Sequence, residues 1–291
     1  MTAEPATPLP RTHAIVDDDQ TRRHLAQSVE QHDIDGLGCL RIPHRRLLLA
    51  ALTGLCLPLR AQVKPLQVAS ASSLVDVMPG LARGFEATNA GVLLQWRSGG
   101  SGLLLDELAQ AAAIDVLLSA DGDTIARGVQ RSLLRADSVR AFAGNELVLL
   151  VPAASKLPIR RLADLARPEV QRIALASATH ASVGRYARQA IDAARLWASV
   201  QRKIVAADSA RAALQMLLRD EADAALLYRT DGLAAGSAVR EVERLSGHEP
   251  IRLTAAVAQA STQPERAAAF VQYLRSESAR SQLVAQGFSV L

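Results

Sequence analysis

Cysteine, histidine and aromatic residues are all scarce in this 291-residue chain. Its two cysteines, Cys39 and Cys56, both precede residue 61, and Phe, Trp and Tyr together make up 3 %. The chain beyond residue 61 therefore has neither a disulfide framework nor thiolate chemistry. Only His180 and His248 remain there, which argues against a multi-histidine metal site. Clustered basic residues are missing too. The formal charge of +4 comes from arginines spread singly, a poor footprint for nucleic acid. The sequence contains no G-x-S-x-G elbow, Walker A lysine, H-E-x-x-H or full G-x-G-x-x-G after a strand, so the common signatures of enzymes are absent. What is present is ordinary for a globular chain: 49 % apolar and 21 % charged residues, long enough for two lobes at roughly 150 residues per domain.

The longest apolar run, Leu47 to Leu59, follows the basic stretch Arg41-Ile-Pro-His-Arg-Arg46 and leads to Arg60-Ala61. Basic, apolar, then a small residue is the order of a secretory signal peptide, and the run is shorter than the roughly 20 residues a membrane span needs. The competing reading is a buried core helix, which the flanking charges disfavour. We assign residues 44–61 to a signal peptide, with cleavage after Ala61, and residues 1–43 to an upstream extension with no domain of its own. Leu55 stands before Cys56, where a lipoprotein signal has a small residue. Removing residues 1–61 leaves the +4 balance unchanged.

From Pro65 onward strands and helices alternate, the pattern of an α/β fold with largely parallel sheets. The expected strands are 65–69, 92–96, 115–119, 146–151, 172–176, 224–228 and 252–258. Helices are expected from Ser73 to about Asn89, and over 103–112, 162–165, 182–197, 209–219, 264–274 and 277–286. Pro79 should bend the first of these. The apolar strand 146–151 is of the kind that passes between lobes. The expected architecture has lobe I at 62–146 plus 255–291 and lobe II at 147–254, with a mixed, mainly parallel sheet in each. The ligand cleft lies between them, with hinges near Glu146 and Thr254.

The helix beginnings carry the chemistry. Ser70-Ala-Ser-Ser-Leu74 follows the first strand and Gly99-Gly-Ser-Gly102 the second. Each sets a hydroxyl and free amides where unpaired N–H groups and the positive dipole end favour an anion. Ser73 and Ser101 also read simply as N-caps, the bland alternative for a lone serine. Two further starts occur at Ser182-Val-Gly184 and Asp208-Ser-Ala210. Tyr228 ends a strand, where its hydroxyl points into a cleft or merely stays wet at the core edge. His180 reads as a surface residue, and Asp121 with Asp123, which could bind a cation, read more simply as a turn after the third strand.

These residues carry a resemblance. From about Leu66 to Leu291 the chain resembles the periplasmic molybdate-binding proteins of ABC importers, which have a two-lobed, type II solute-binding fold. The resemblance runs through Val68-Ala-Ser-Ala-Ser-Ser-Leu-Val-Asp-Val-Met78, Gly99-Gly-Ser-Gly102, Ile114–Asp121, Gly144–Pro152, Val183-Gly-Arg-Tyr-Ala187, Leu226-Leu-Tyr228 and Gln286-Gly-Phe288. It implies a tetrahedral dianion held by neutral donors: the hydroxyls of Ser73, Ser101 and Tyr228 and the backbone amides at Val183 and Ala210. It also implies a periplasmic monomer that hands molybdate or tungstate to a membrane permease, with no cofactor, no bare metal ion and no catalysis. Ser182 departs from the family's proline and Val183 from its alanine. Other readings are a binder of another oxyanion such as sulfate, or a ligand-sensing regulatory domain of the same fold.

Overall fold

The computed structural model describes residues 64–291; the extension at 1–43 and the signal peptide at 44–61 lie outside the described residues. In chain order, β1 (Leu66–Ala71), β2 (Leu94–Gly99), β3 (Val116–Ser119) and β4 (Arg140–Gly144) build the first sheet. The second sheet takes β5 (Leu147–Pro152), β6 (Ile173–Ala176), β7 (Ile204–Ala207), β8 (Ala224–Tyr228) and β9 (Val239–Arg244), and β10 (Arg252–Val257) returns to the first. The strand orders are β2-β1-β3-β10-β4 and β7-β6-β8-β5-β9. In the first sheet β1 runs parallel to β2 and β3, with β10 antiparallel to β3 and β4. The second repeats the scheme: β6 is parallel to β7 and β8, and β5 antiparallel to β8 and β9. The fold is thus α/β with two lobes, each holding a mixed sheet.

The helices are α1 (Met78–Thr88), α2 (Ser101–Ala109) and α3 (Gly122–Gln130) in the first lobe. Those of the second are α4 (Ser182–Ala193), α5 (Trp197–Val200), α6 (Ala210–Leu218) and α7 (Arg229–Ala235), and α8 (Pro264–Tyr273) and α9 (Glu277–Ala285) close the first. Leu147 to Val151 are fully buried. An unbroken apolar strand of this kind belongs where both faces of a sheet are covered. Under the first sheet, Phe85 of α1 meets Phe270 of α8 edge to face at 5.1 Å, a favoured aromatic geometry. Among the described residues no helix is long and apolar enough to cross a membrane.

Several expectations need correction. The helix from Ser73 to Asn89 is two pieces: a single 3-10 turn at Ser72–Leu74, and α1 starting at Met78. Pro79 therefore sits in the first turn of α1 and does not bend its interior, because a first-turn proline gives up only an amide that is unpaired anyway. The first passage between lobes lies at Asn145-Glu146, between β4 and β5. The strand at 147–152 is wholly within the second sheet. The second passage lies at 245–251, between β9 and β10, and not near Thr254. That residue is inside β10, opposite Ser119 of β3, so residues 252–254 pack with the first lobe.

Candidate functional site

Parallel strands give each sheet an end at which their carboxyl termini emerge, and ligands of open α/β sheets bind outside such ends. Ser73 follows β1, Ser101 follows β2, Val183 follows β6, Ala210 follows β7, and Tyr228 is the last residue of β8. All five are buried, none more than 6 % exposed. The two sets of carboxyl ends meet across the cleft. The Gly102 amide of α2 donates to the His180 carbonyl of the other lobe at 2.8 Å. Asp76, just after the 3-10 turn, pairs with Arg211 of α6, and the Ser182 hydroxyl of α4 donates to the carboxylate of Asp121.

The polar atoms at this junction are unevenly satisfied. The hydroxyls of Ser73 and Tyr228 are buried and have no hydrogen-bond partner, although buried polar groups are nearly always paired. The Ser101 hydroxyl is engaged, accepting the Ala120 amide at 3.2 Å, which leaves its own proton free to donate. Ser101 and Ala210 are the first residues of α2 and α6, and Val183 is the second of α4. Amides in those positions have no acceptor within the helix. At α2 the free set is smaller than the sequence suggests, because the amides of Gly102 and Leu103 both point at the His180 carbonyl, at 2.8 and 3.4 Å. Burial pushes the Tyr228 phenol far up, with Tyr186 and Asp121 adding to the rise. It stays protonated and can act as a donor.

Asp121, read from sequence as part of a turn, is a helix cap at this junction. It is fully buried, and its carboxylate accepts the Thr124 amide of α3 at 2.6 Å and the Thr124 hydroxyl at 3.1 Å. Arg185 of α4 approaches it to 2.9 Å as an ion pair and reaches Asp123 at 3.5 Å. Burial alone would raise the Asp121 carboxyl, but Arg185, Ser182 and Thr124 outweigh it and hold it below the usual carboxylate range. Asp231, one turn past Tyr228, accepts the Tyr228 amide at 3.1 Å. Burial pushes its carboxyl up to about 7 against the pull of that amide and of Arg211. His180 keeps a partly exposed ring, and its carbonyl makes the contact across the cleft. Sequence reasoning missed Asp76, Asp121, Arg185, Arg211 and Asp231. An arginine in the first turn of two separate helices, where acids are favoured, was the signal for two of them. No cluster of three or more acidic, histidine or cysteine side chains fit for a metal ion occurs among the described residues.

Residues 66–289 match the family described as bacterial extracellular solute-binding protein. The chain belongs to this family. Among its relatives is YvgL of Bacillus subtilis, named as an ABC transporter substrate-binding lipoprotein, 26 % identical over 225 residues (77 % of this chain, 86 % of YvgL). The molybdate-binding protein ModA of Haemophilus influenzae is 24 % identical over 229 residues, 76 % of this chain and 89 % of ModA. The periplasmic molybdate-binding protein of Azotobacter vinelandii superposes with a TM-score of 0.69 at 20 % identity, over 78 % of this chain and 99 % of that one. The sulfate-binding protein SubI of Mycobacterium tuberculosis superposes with a TM-score of 0.68 at 19 % identity, over 78 % and 87 %. The chain is thus a solute-binding protein.

Proposed function

We propose that this protein captures molybdate or tungstate outside the cytoplasmic membrane and delivers it to the permease of an ABC importer. The observation that carries the reading is the pair of buried, unpartnered hydroxyls, Ser73 on one lobe and Tyr228 on the other. With the Ser101 hydroxyl and the amides at Val183 and Ala210 they form a set of neutral donors around a cleft. Hydrogen bonds to a charged acceptor contribute roughly 1.5–3 kcal/mol each, so five donors suffice for firm binding after the anion's own desolvation. A site of donors also prefers a fully ionised oxyanion, because a ligand hydroxyl finds no acceptor there. The ModA relatives favour molybdate over sulfate as the cargo. Export through the leader at 44–61, a periplasmic location and a monomeric state belong to the same proposal. The role is binding without catalysis or cofactor.

The test is a thermal-shift screen followed by calorimetry with molybdate, tungstate, sulfate and phosphate. Ligand at a hundred times its Kd stabilises by about 2.7 kcal/mol, which a melting curve resolves easily. Molybdate and tungstate should raise the Tm, and sulfate and phosphate at equal concentration should not. A shift with sulfate alone would move the assignment to that anion. A flat response to all four would remove the oxyanion reading.

A further inference from the structure

Two arginines border the candidate donors of the second lobe, and all three ion pairs they make cross the cleft. Arg185 is the fourth residue of α4, two past Val183, and pairs with Asp121 and Asp123. Arg211 is the second residue of α6, next to Ala210, and pairs with Asp76. A cation in the first turn of a helix opposes the helix dipole at a cost of about 0.3–1 kcal/mol, so neither arginine is placed there for the helix's own sake. The charges are also segregated, with both arginines on the second lobe and their three carboxylate partners on the first. On the second lobe the nearby acids are Asp231, buried behind Tyr228, and the solvent-exposed Asp208 near His180.

We propose that Arg185 and Arg211 are the capture residues of this cleft, and that Asp121 and Asp76 form the clasp that takes them over on closing. The proposal rests on the oxyanion reading above. When the lobes part, the cleft face of the second lobe is cationic and that of the first carries carboxylates, so a dianion loads on α4 and α6 first. Asp121 then keeps only its Thr124 contacts, which hold the cap of α3 whether the cleft is open or shut. On closing, each arginine is neutralised by an aspartate and the anion is left among uncharged donors. Release requires all three ion pairs, and the Ser182–Asp121 hydrogen bond, to separate. Steering of this kind raises association rates by about tenfold or more and fades as salt is added.

Stopped-flow tryptophan fluorescence with molybdate, at low and high ionic strength, tests the idea. The Arg185→Gln, Arg211→Gln double variant should associate about tenfold more slowly than wild type at low salt, with a flattened salt dependence. Asp76→Asn and Asp121→Asn should associate at least as fast as wild type and dissociate faster. Asparagine is as good an N-cap as aspartate, so Asp121→Asn keeps α3. Wild-type association by the double arginine variant at low salt would overturn the proposal. A wild type that binds none of the four anions would instead overturn the oxyanion reading. Spin labels placed one on each lobe separate the two failures, because they need no ligand. Asp121→Asn should lengthen the interlobe distance of the anion-free protein, and an unchanged distribution would dismiss the clasp.

Discussion

The carbonyl of His180 accepts the amide of Gly102 at 2.8 Å, tying the start of α2 in one lobe to the loop before α4 in the other. The backbones approach this closely because positions 100 and 102 have no side chain. A Cβ on Gly100 would press on the His180 carbonyl and lie 2.7 Å from the Asp208 carbonyl. Both obstacles belong to the opposite lobe, and Gly100 has φ −66° and ψ 135°, a conformation open to alanine. Gly100→Ala should therefore fold with a wild-type circular dichroism spectrum and lose at least tenfold in anion affinity, about 1.4 kcal/mol. Calorimetry giving wild-type affinity would show that the ligand is not held by lobes in this contact.

Removing the orphaned hydroxyls should separate stability from binding. Ser73→Ala and Tyr228→Phe each delete a buried polar atom that has no partner, so the ligand-free protein should melt at the same temperature or higher. Affinity for molybdate should fall by about tenfold in each, the loss of roughly one hydrogen bond to a charged acceptor. Ser101→Ala is a poorer probe, because it also strips the Ala120 amide of its acceptor. A variant at 73 or 228 that binds as wild type takes that residue out of the site.

The strand ends and chain turns at which the five candidate donors stand were legible because local sequence marks such points, whereas the amides at Val183 and Ala210 were singled out as donors only by the family resemblance. The strands with continuous apolar runs, β5 at Leu147–Pro152 and β8 at Ala224–Tyr228, were legible for the same local reason. β9 was not. Its sequence, Val-Arg-Glu-Val-Glu-Arg, has no fully buried residue and lies at the edge of the second sheet, and charged edge strands lack the apolar signal that marks inner ones. α3 was hidden because Asp121-Gly-Asp123 has the composition of a turn, and only the Thr124 amide on the Asp121 carboxylate reveals it as a cap. The interlobe pairs were illegible in principle. Asp76 and Arg211 are far apart in sequence, and nothing local to either predicts that closing the lobes brings them together.

Asp231 should make stability fall as pH rises. Burial raises its carboxyl from 3.8 to about 7 in the fold, so between those values the folded chain holds a proton that the unfolded chain has released. Its stabilising share is complete below about pH 4 and is lost as pH climbs through 7, on the order of 4 kcal/mol in all. Asp231→Asn can still accept the Tyr228 amide and has no proton to lose. Denaturant melts at pH 5 and pH 8 should show wild type losing stability relative to Asp231→Asn on the way up. Parallel pH profiles would mean that Asp231 is already ionised or solvated in the fold.

Two glycine-to-alanine changes should differ in cost because of what each new methyl meets. At Gly184, the third residue of α4, a Cβ would overlap the Ala176 carbonyl oxygen at the end of β6 and lie 2.7 Å from its carbon. That neighbour is backbone and cannot swing aside, so α4 must lift from the sheet and carry Val183 with it. At Gly232 in α7 the nearest atom is a Leu150 methyl at 3.1 Å, which can rotate away. Gly184→Ala should lose about 1–3 kcal/mol of stability by overpacking and also weaken anion binding, since the Val183 amide moves. Gly232→Ala should keep its affinity and gain or lose less than about 1 kcal/mol, the helix preference for alanine offsetting the contact. Chemical denaturation and calorimetry on the two variants measure both quantities. If Gly184→Ala loses stability and binds as wild type, the amide at Val183 does not touch the anion.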